Sequence, residues 1–493
     1  MTTTHNNLNK SVPLQGLIMS KTSDQLNMRN IWLISLVAAC GGLLFGYDWV
    51  VIGGAKPFYE AYFNITSASL SGWAMSSALL GCMAGALIAG TVSDKYGRKR
   101  PLILAALLFV ISAWGTAAAD SFNAFLLFRI IGGVGIGLAS ALSPMYIAEI
   151  APAEKRGKFV AINQLTIVVG VLAAQIINLM IAEPVAAGAA QADILQTWNG
   201  QMGWRYMFGA ELVPAFAFLL LMFVVPESPR WLVKMGMVDR AKDTLRRIGS
   251  DSYAERTVEE IESTLSAETR SLPFSALLKP DVKPILIIGI VLAVFQQWCG
   301  INVIFNYAQE IFASAGFDIN DTLKSIVATG LINLLFTILA IPFVDKIGRR
   351  KLMIVGSFGL TVIYGLMSAA YAFGVLGLPV LLLVLVAISI YALTLAPVTW
   401  VLLSEIFPNK VRGTAMSVCT FSLWVACFVL TYTFPLLNAG LGASGSFLLY
   451  GVICACGFVF IYRRVPETKG RSLEELEKEL VAQAGNVGKK VNA

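Results

Sequence analysis

The hexapeptide DKYGRK runs from Asp94 to Lys99, and DKIGRR runs from Asp345 to Arg350, 251 positions later (345 less 94). Two further pairs keep the same order. AEIAPAEKRG, Ala148 to Gly157, returns as SEIFPNKVRG, Ser404 to Gly413, and PESPR, from Pro226, returns as PETKGR, from Pro466. Three ordered pairs at similar offsets mark an internal duplication. What surrounds them is apolar: 57% of the 493 residues are hydrophobic, roughly 280 positions against the ~240 that twelve membrane spans of ~20 residues require. Charged residues make up only 14% where soluble domains carry ~25%, and the mean hydropathy is +0.72. The chain is read as a polytopic membrane protein built from two copies of one unit.

Apolar runs interrupted by polar breaks place spans near 31–54, 70–92, 101–119, 124–148, 158–182, 204–225, 284–309, 322–344, 351–374, 378–406, 413–437 and 444–463. The first run is too long for a signal-peptide core of ~7–15 residues, so it is expected to be retained as a span. The fold class is therefore all-α: twelve transmembrane helices in two six-helix halves, 31–226 and 284–464, flanked by tails at 1–30 and 465–493. Between the halves, 227–283 is polar and charged, with helical patches such as VDRAKDTLRRIG and TVEEIESTLSAE. Basic residues orient the chain. Lys95, Arg98, Lys99 and Arg100, then Lys155, Arg156 and Lys158, then Lys346, Arg349, Arg350 and Lys351, then Lys410 and Arg412 follow spans 2, 4, 8 and 10. The opposite segments carry few, chiefly Lys56 and Lys324. Both termini and the linker are expected in the cytoplasm, with the chain multi-pass in a cell membrane.

Composition also removes chemistries. The one histidine, His5, lies in a polar tail, so no buried imidazole is available for a hydrolytic triad or a histidine-rich metal site. The seven cysteines sit in apolar segments without a CxxC pair, which points to packing rather than to metal or disulfides. The net charge of +7 lies in short loops rather than on a solvated face with stacking aromatics, so no nucleic-acid partner is expected. Gly132, Gly133, Gly135 and Gly137 do not keep the GxGxxG spacing; Gly81 with Gly85, and Gly133 with Gly137, fit GxxxG close packing instead. No Walker A sequence is present, so ATP hydrolysis by this chain is not expected. An enzyme is not expected, nor a metal or cofactor.

The rare charges inside spans are the informative ones. Asp48 lies ~26 Å along span 1 at ~1.5 Å per residue, and Arg129 lies about five residues into span 4 from the other side. Both fall at similar depth, and an uncompensated charge there costs at least ~2.5–3.5 kcal/mol, so the two are expected to pair. One reading is a permanent salt bridge; the other is a proton-responsive pair.

The duplicated architecture and its ordered motifs resemble the sugar porter family of the major facilitator superfamily. The motifs are GGLLFGYD (Gly41 to Asp48), DKYGRKR, RIIGGVGIG from Arg129, PMYIAEIAPAEKRG, PESPRWL, QQWCGIN (Gln296 to Asn302), DKIGRR and PETKGR. The resemblance implies halves that rock about a central sugar site. It implies proton coupling through Asp48, since proton-coupled members carry aspartate after FGY where facilitators often carry asparagine, with Arg129 and Glu211 as partners. Glu211 could equally be a helix-end acceptor.

Sugar hydroxyls both donate and accept, which calls for amides and an aromatic face. Gln296, Gln297 and Asn302 on span 7 supply amides. Gln297 and Asn302 are 140° apart on an ideal helix, and Gly300 between them permits a break that would let them converge. By resemblance, Gln164, Asn333, Trp400 and Trp424 join them, although a lone amide can also be interhelical glue and a lone Trp mere packing. Asn306 and Tyr307 stand where relatives keep a gating tyrosine pair. At the loops, Asp94 with Arg98, Glu149 with Arg156, Asp345 with Arg349 and Glu405 with Arg412, joined by Glu227, Arg230 and Glu467, form candidate gating pairs; solvated topology charges are the alternative. The implied function is import of a monosaccharide with a proton, by a monomer in the bacterial inner membrane. Xylose, arabinose, glucose, galactose and inositol all remain open, as do a uniporter and a non-transporting sugar sensor.

Overall fold

A computed structural model describes residues 26–186, 188–267, 277–280, 282–407 and 411–469. His5, Lys10, Lys21 and Lys410 lie outside them, as does the side chain of Asp345. The first half comprises α1 (Met28–Tyr62), α2 (Ala68–Tyr96), α3 (Lys99–Ala117), α4 (Phe122–Ile150) and α5 (Arg156–Ile181), the short α6 (Gln191–Gln196), and a sixth span split into α7 (Trp204–Gly209) and α8 (Leu212–Val224). Three linker helices follow: α9 (Pro229–Lys234), α10 (Val238–Arg246) and α11 (Asp251–Ala267). The second half comprises α12 (Lys283–Trp298), α13 (Ile301–Asn306), α14 (Ala308–Ser314), α15 (Ile319–Ile347), α16 (Arg349–Ala372), α17 (Leu378–Leu393), α18 (Leu395–Ile406) and α19 (Arg412–Arg464). No strand occurs among the described residues. Among the described residues, eleven stretches are long and apolar enough to cross a membrane. The last, α19, has 53 residues and would measure ~80 Å as one rod. Gly442, at φ 66° and ψ 177°, breaks it, so it crosses twice and the count is twelve.

The breaks have local causes. Span 10 divides at Thr394, φ −122° and ψ −81°, because Pro397 has no N–H for the carbonyl of Leu393, one turn earlier. Within the first half, α2 and α4 meet backbone to backbone: a Cβ on Gly133 would stand 2.8 Å from the carbonyl carbon of Ala78, and one on Gly81 would stand 2.6 Å from the amide nitrogen of Val134. The two GxxxG pairs thus serve helix approach, where lipid gives no hydrophobic drive.

The linker packs on the end of the bundle where the chain enters it. The amide of Asn27 donates to the carbonyl of Ile248, and Asn30 Nδ2 donates to the carbonyl of Arg247, each at 2.9 Å. This end is the linker face and the opposite end the far face. Span 1 runs farther toward the far face than the apolar run suggests, to Tyr62 rather than Gly54. Lys56, read above as a loop residue, is therefore buried inside α1.

Candidate functional site

In the first half the site is ionic. Arg129 Nη1 donates to Asp48 Oδ1, Nη2 donates to the Asp48 carbonyl at 3.2 Å, and the guanidinium lies 5.5 Å from the centre of the Phe208 ring. Asp48, Arg129 and Glu211 are 1%, 2% and 1% exposed. Glu211 occupies the step between α7 and α8, within electrostatic reach of both partners. Asp48 Oδ2, Arg129 Nε and Glu211 Oε1 have no hydrogen-bond partner among the described residues. One aspartate oxygen is thus committed to the arginine, and the other is bare. Around them, the Tyr47 hydroxyl donates to the Met207 carbonyl at 3.1 Å and ties α1 to the split sixth span.

In the second half the site is made of amides. Gly300 adopts φ +86° and ψ −7°, a left-handed conformation that ends α12 and starts α13 and that favours glycine. The break turns Asn302 back onto Gln297: Asn302 Nδ2 donates to Gln297 Oε1, Gln297 Nε2 donates to Gln296 Oε1 at 2.7 Å, and Gln296 Nε2 donates to the Tyr391 hydroxyl at 3.2 Å. Asn302 Nδ2 also lies 3.8 Å from Cys427 Sγ. One turn from Cys427, Trp424 packs against Phe45 and Trp49 of α1, with ring centres 6.0 and 6.1 Å away. Because Trp49 follows Asp48 directly, the aromatic contact joins the ionic site to the amide relay.

The other expected residues fall around this seam. Gln175 Nε2 donates to Thr329 Oγ1 across the halves at 3.4 Å. Gln164, with Val168 and Val171, lies on the Gln175 face of α5, and Asn333 lies one turn from Thr329 on α15; Gln164 is exposed and Asn333 buried. Trp400 is exposed on α18. Asn306 is buried and lines a small cavity together with Arg129, Trp49 and Cys82, whereas Tyr307 donates to the carbonyl of Thr431 at 2.5 Å. Sequence reasoning missed Tyr391, Phe45 and Trp49, since an aromatic in an apolar run reads as packing. A hydroxyl inside a span, nine residues before Trp400, was the available signal for Tyr391.

The linker-face charges pair differently from the expectation. Glu149 binds Arg98 rather than Arg156: Arg98 Nη2 donates to Glu149 Oε1 at 3.0 Å, Ser228 Oγ donates to Glu149 Oε2 at 2.5 Å, and the Arg98 amide donates to Glu227 Oε1 at 2.8 Å. Arg156 is exposed. Asp94 lies 3.6 Å from Arg98 and 3.2 Å from Lys234. The second half repeats the pattern. Arg349 Nη2 donates to Glu405 Oε1 at 3.1 Å, Thr468 Oγ1 donates to Glu405 Oε2 at 2.5 Å, and the Arg349 amide donates to Glu467 Oε1 at 2.9 Å. Arg412 donates to the carbonyl of Phe407. Arg230 sits beside this network at the start of α9. Each of these bonds joins segments of one half.

A family model described as "Sugar (and other) transporter" matches residues 34–480. The D-xylose-proton symporter of Escherichia coli K12 is 40% identical over 484 residues, covering 92% of this chain and 96% of that protein. The glucose transport protein of Synechocystis is 39% identical, covering 93% and 99%. The solved inward-open conformation of the xylose transporter XylE from E. coli aligns with a TM-score of 0.79 at 37% identity, covering 91% of this chain and 99% of that one.

Proposed function

This chain belongs to the sugar transporter family of the major facilitator superfamily, and from that premise we propose that it imports a monosaccharide, a pentose or a hexose, together with a proton. The linker face is cytoplasmic on this reading, which its excess of Lys and Arg supports. The chain works as a monomer in the bacterial inner membrane, with the proton as coupling ion and no cofactor.

The observation that carries this reading is the buried Asp48–Arg129 pair set one aromatic contact from the amide relay. A proton arriving at the bare Oδ2 of Asp48 neutralises the carboxylate and removes the charge that holds Arg129 Nη1. Arg129 retains the Asp48 carbonyl and the Phe208 ring, so the guanidinium is not orphaned when the pair opens. Glu211 is a second carboxylate within reach and takes up part of the positive charge. On the other side of Trp424, Gln296, Gln297 and Asn302 now bond to one another; a sugar hydroxyl can replace each of those bonds without leaving an amide unsatisfied. Trp424 offers a face to the apolar side of the ring. Sugar seated against Trp424 bears on Trp49, and through it on the helix turn that carries Asp48. The loaded carrier reorients when both sites are filled.

Replacing Asp48 by Asn tests the assignment in proteoliposomes. Uphill uptake and sugar-induced alkalinisation disappear, while exchange of labelled sugar between the two sides continues. Undiminished uphill uptake by Asp48→Asn would refute the role.

A further inference from the structure

One buried charge near the far face takes no part in the transport scheme above. Lys56 lies eight residues beyond Asp48 on α1, ~12 Å farther along the axis. Its Nζ is 2.8 Å from Oε1 of Glu60, one turn on in the same helix, and 2.7 Å from Oε1 of Glu310 on α14, in the other half. The lysine side chain is 5% exposed; those of Glu60 and Glu310 are 17% and 22% exposed. The backbones close in at the same level, where a Cβ on Gly53 would stand 2.9 Å from the carbonyl oxygen of Asn306.

A buried ammonium must be paired, and this one has two partners that belong to different halves. Any motion that parts the halves at the far face separates Lys56 from Glu310. It does not separate Lys56 from Glu60, which travels with it. We propose that Lys56 and Glu310 latch the far face shut, and that Glu60 holds the ammonium while the latch is open. The three are positioning residues: they touch neither sugar nor proton, and they set how often the far face opens to admit sugar. The inference rests on the alternating-access reading. Glu60 makes the latch reversible, because opening removes one ion partner of two instead of stranding a charge.

The test uses the full chain with Cys82 as its sole cysteine, in right-side-out membrane vesicles treated with a membrane-impermeant maleimide. Cys82 lines the cavity shared by Arg129 and Asn306, fourteen residues into α2 from its far end (82 less 68). E310Q raises the labelling rate roughly tenfold. E60Q leaves the latch in place and does not raise it, and E310D restores slow labelling. No rise with E310Q, or an equal rise with E60Q, overturns the latch. A second measurement keeps all seven cysteines: E310Q lowers the KM for sugar offered at the far face, because more of the carrier is competent to bind, and an unchanged or higher KM overturns the proposal. Labelling needs no flux, so it reads the latch separately from the proton coupling that Asp48→Asn tests.

Discussion

At the linker face three hydrogen bonds of the first half recur in the second. Arg98, Glu149, Glu227 and Ser228 are answered by Arg349, Glu405, Glu467 and Thr468, with corresponding distances that agree within 0.1 Å. Even the turns agree: Gly97 at φ +89° and Gly348 at φ +105° each present their backbone to the glutamate of the PES or PET motif. At mid-membrane the likeness ends. The first half buries Asp48, Arg129 and Glu211; the second buries Gln296 and Gln297, with Asn302 against them. Duplication thus preserved the anchoring of each helix bundle and let the interiors diverge into one ionic and one amide site. The division suits a symporter, because a charge-bearing site and a hydroxyl-binding site make opposite demands on solvation.

The sharpest way to break that division is to empty one site and read the other. Gln297→Ala removes the acceptor of Asn302 and the donor to Gln296 at once, leaving buried amides unsatisfied. The KM for sugar rises roughly 10- to 100-fold, while uptake at saturating sugar stays proton-coupled; loss of coupling at an unchanged KM would dissolve the division. Smaller and symmetric effects are expected at the matched turns. Gly97→Ala and Gly348→Ala each force a side chain into a left-handed backbone facing a carboxylate, at about 1–3 kcal/mol, and each lowers the Tm in detergent by a similar amount. Unequal losses would show that the two anchors are not equivalent. Smallest are Ser228→Ala, about 1–2 kcal/mol because its hydroxyl also caps α9 by accepting from the Trp231 amide, and Thr468→Ala, about 1 kcal/mol from one lost hydrogen bond, measured in the same melts.

Much of this was legible in the sequence because duplication and scarcity are both informative. DKYGRK and DKIGRR pointed to two halves, and depth alone led to the pairing of Asp48 with Arg129. Gln297 and Asn302 are 140° apart on an ideal helix and Gly300 permits a break between them, and Gly300 is where the helix breaks. The rest depended on tertiary partners. Lys56 looked like a loop residue because a lysine ends an apolar run; only Glu310, far away in sequence, makes its burial tolerable. Glu149 and Arg156 share one loop motif, yet helix geometry delivers Arg98, 51 residues away, to Glu149. Span 10 breaks at Thr394, ahead of Pro397, inside a run whose apolar composition reads as one continuous span.

In the proposed transport cycle the ionic half takes a proton each time the amide half takes a sugar. Purified protein in proteoliposomes, given labelled xylose or glucose under an imposed inward proton gradient, tests it directly. The expected result is accumulation above the external concentration that collapses when a protonophore is added. Sugar that enters only to equilibrium, with or without the gradient, would contradict it.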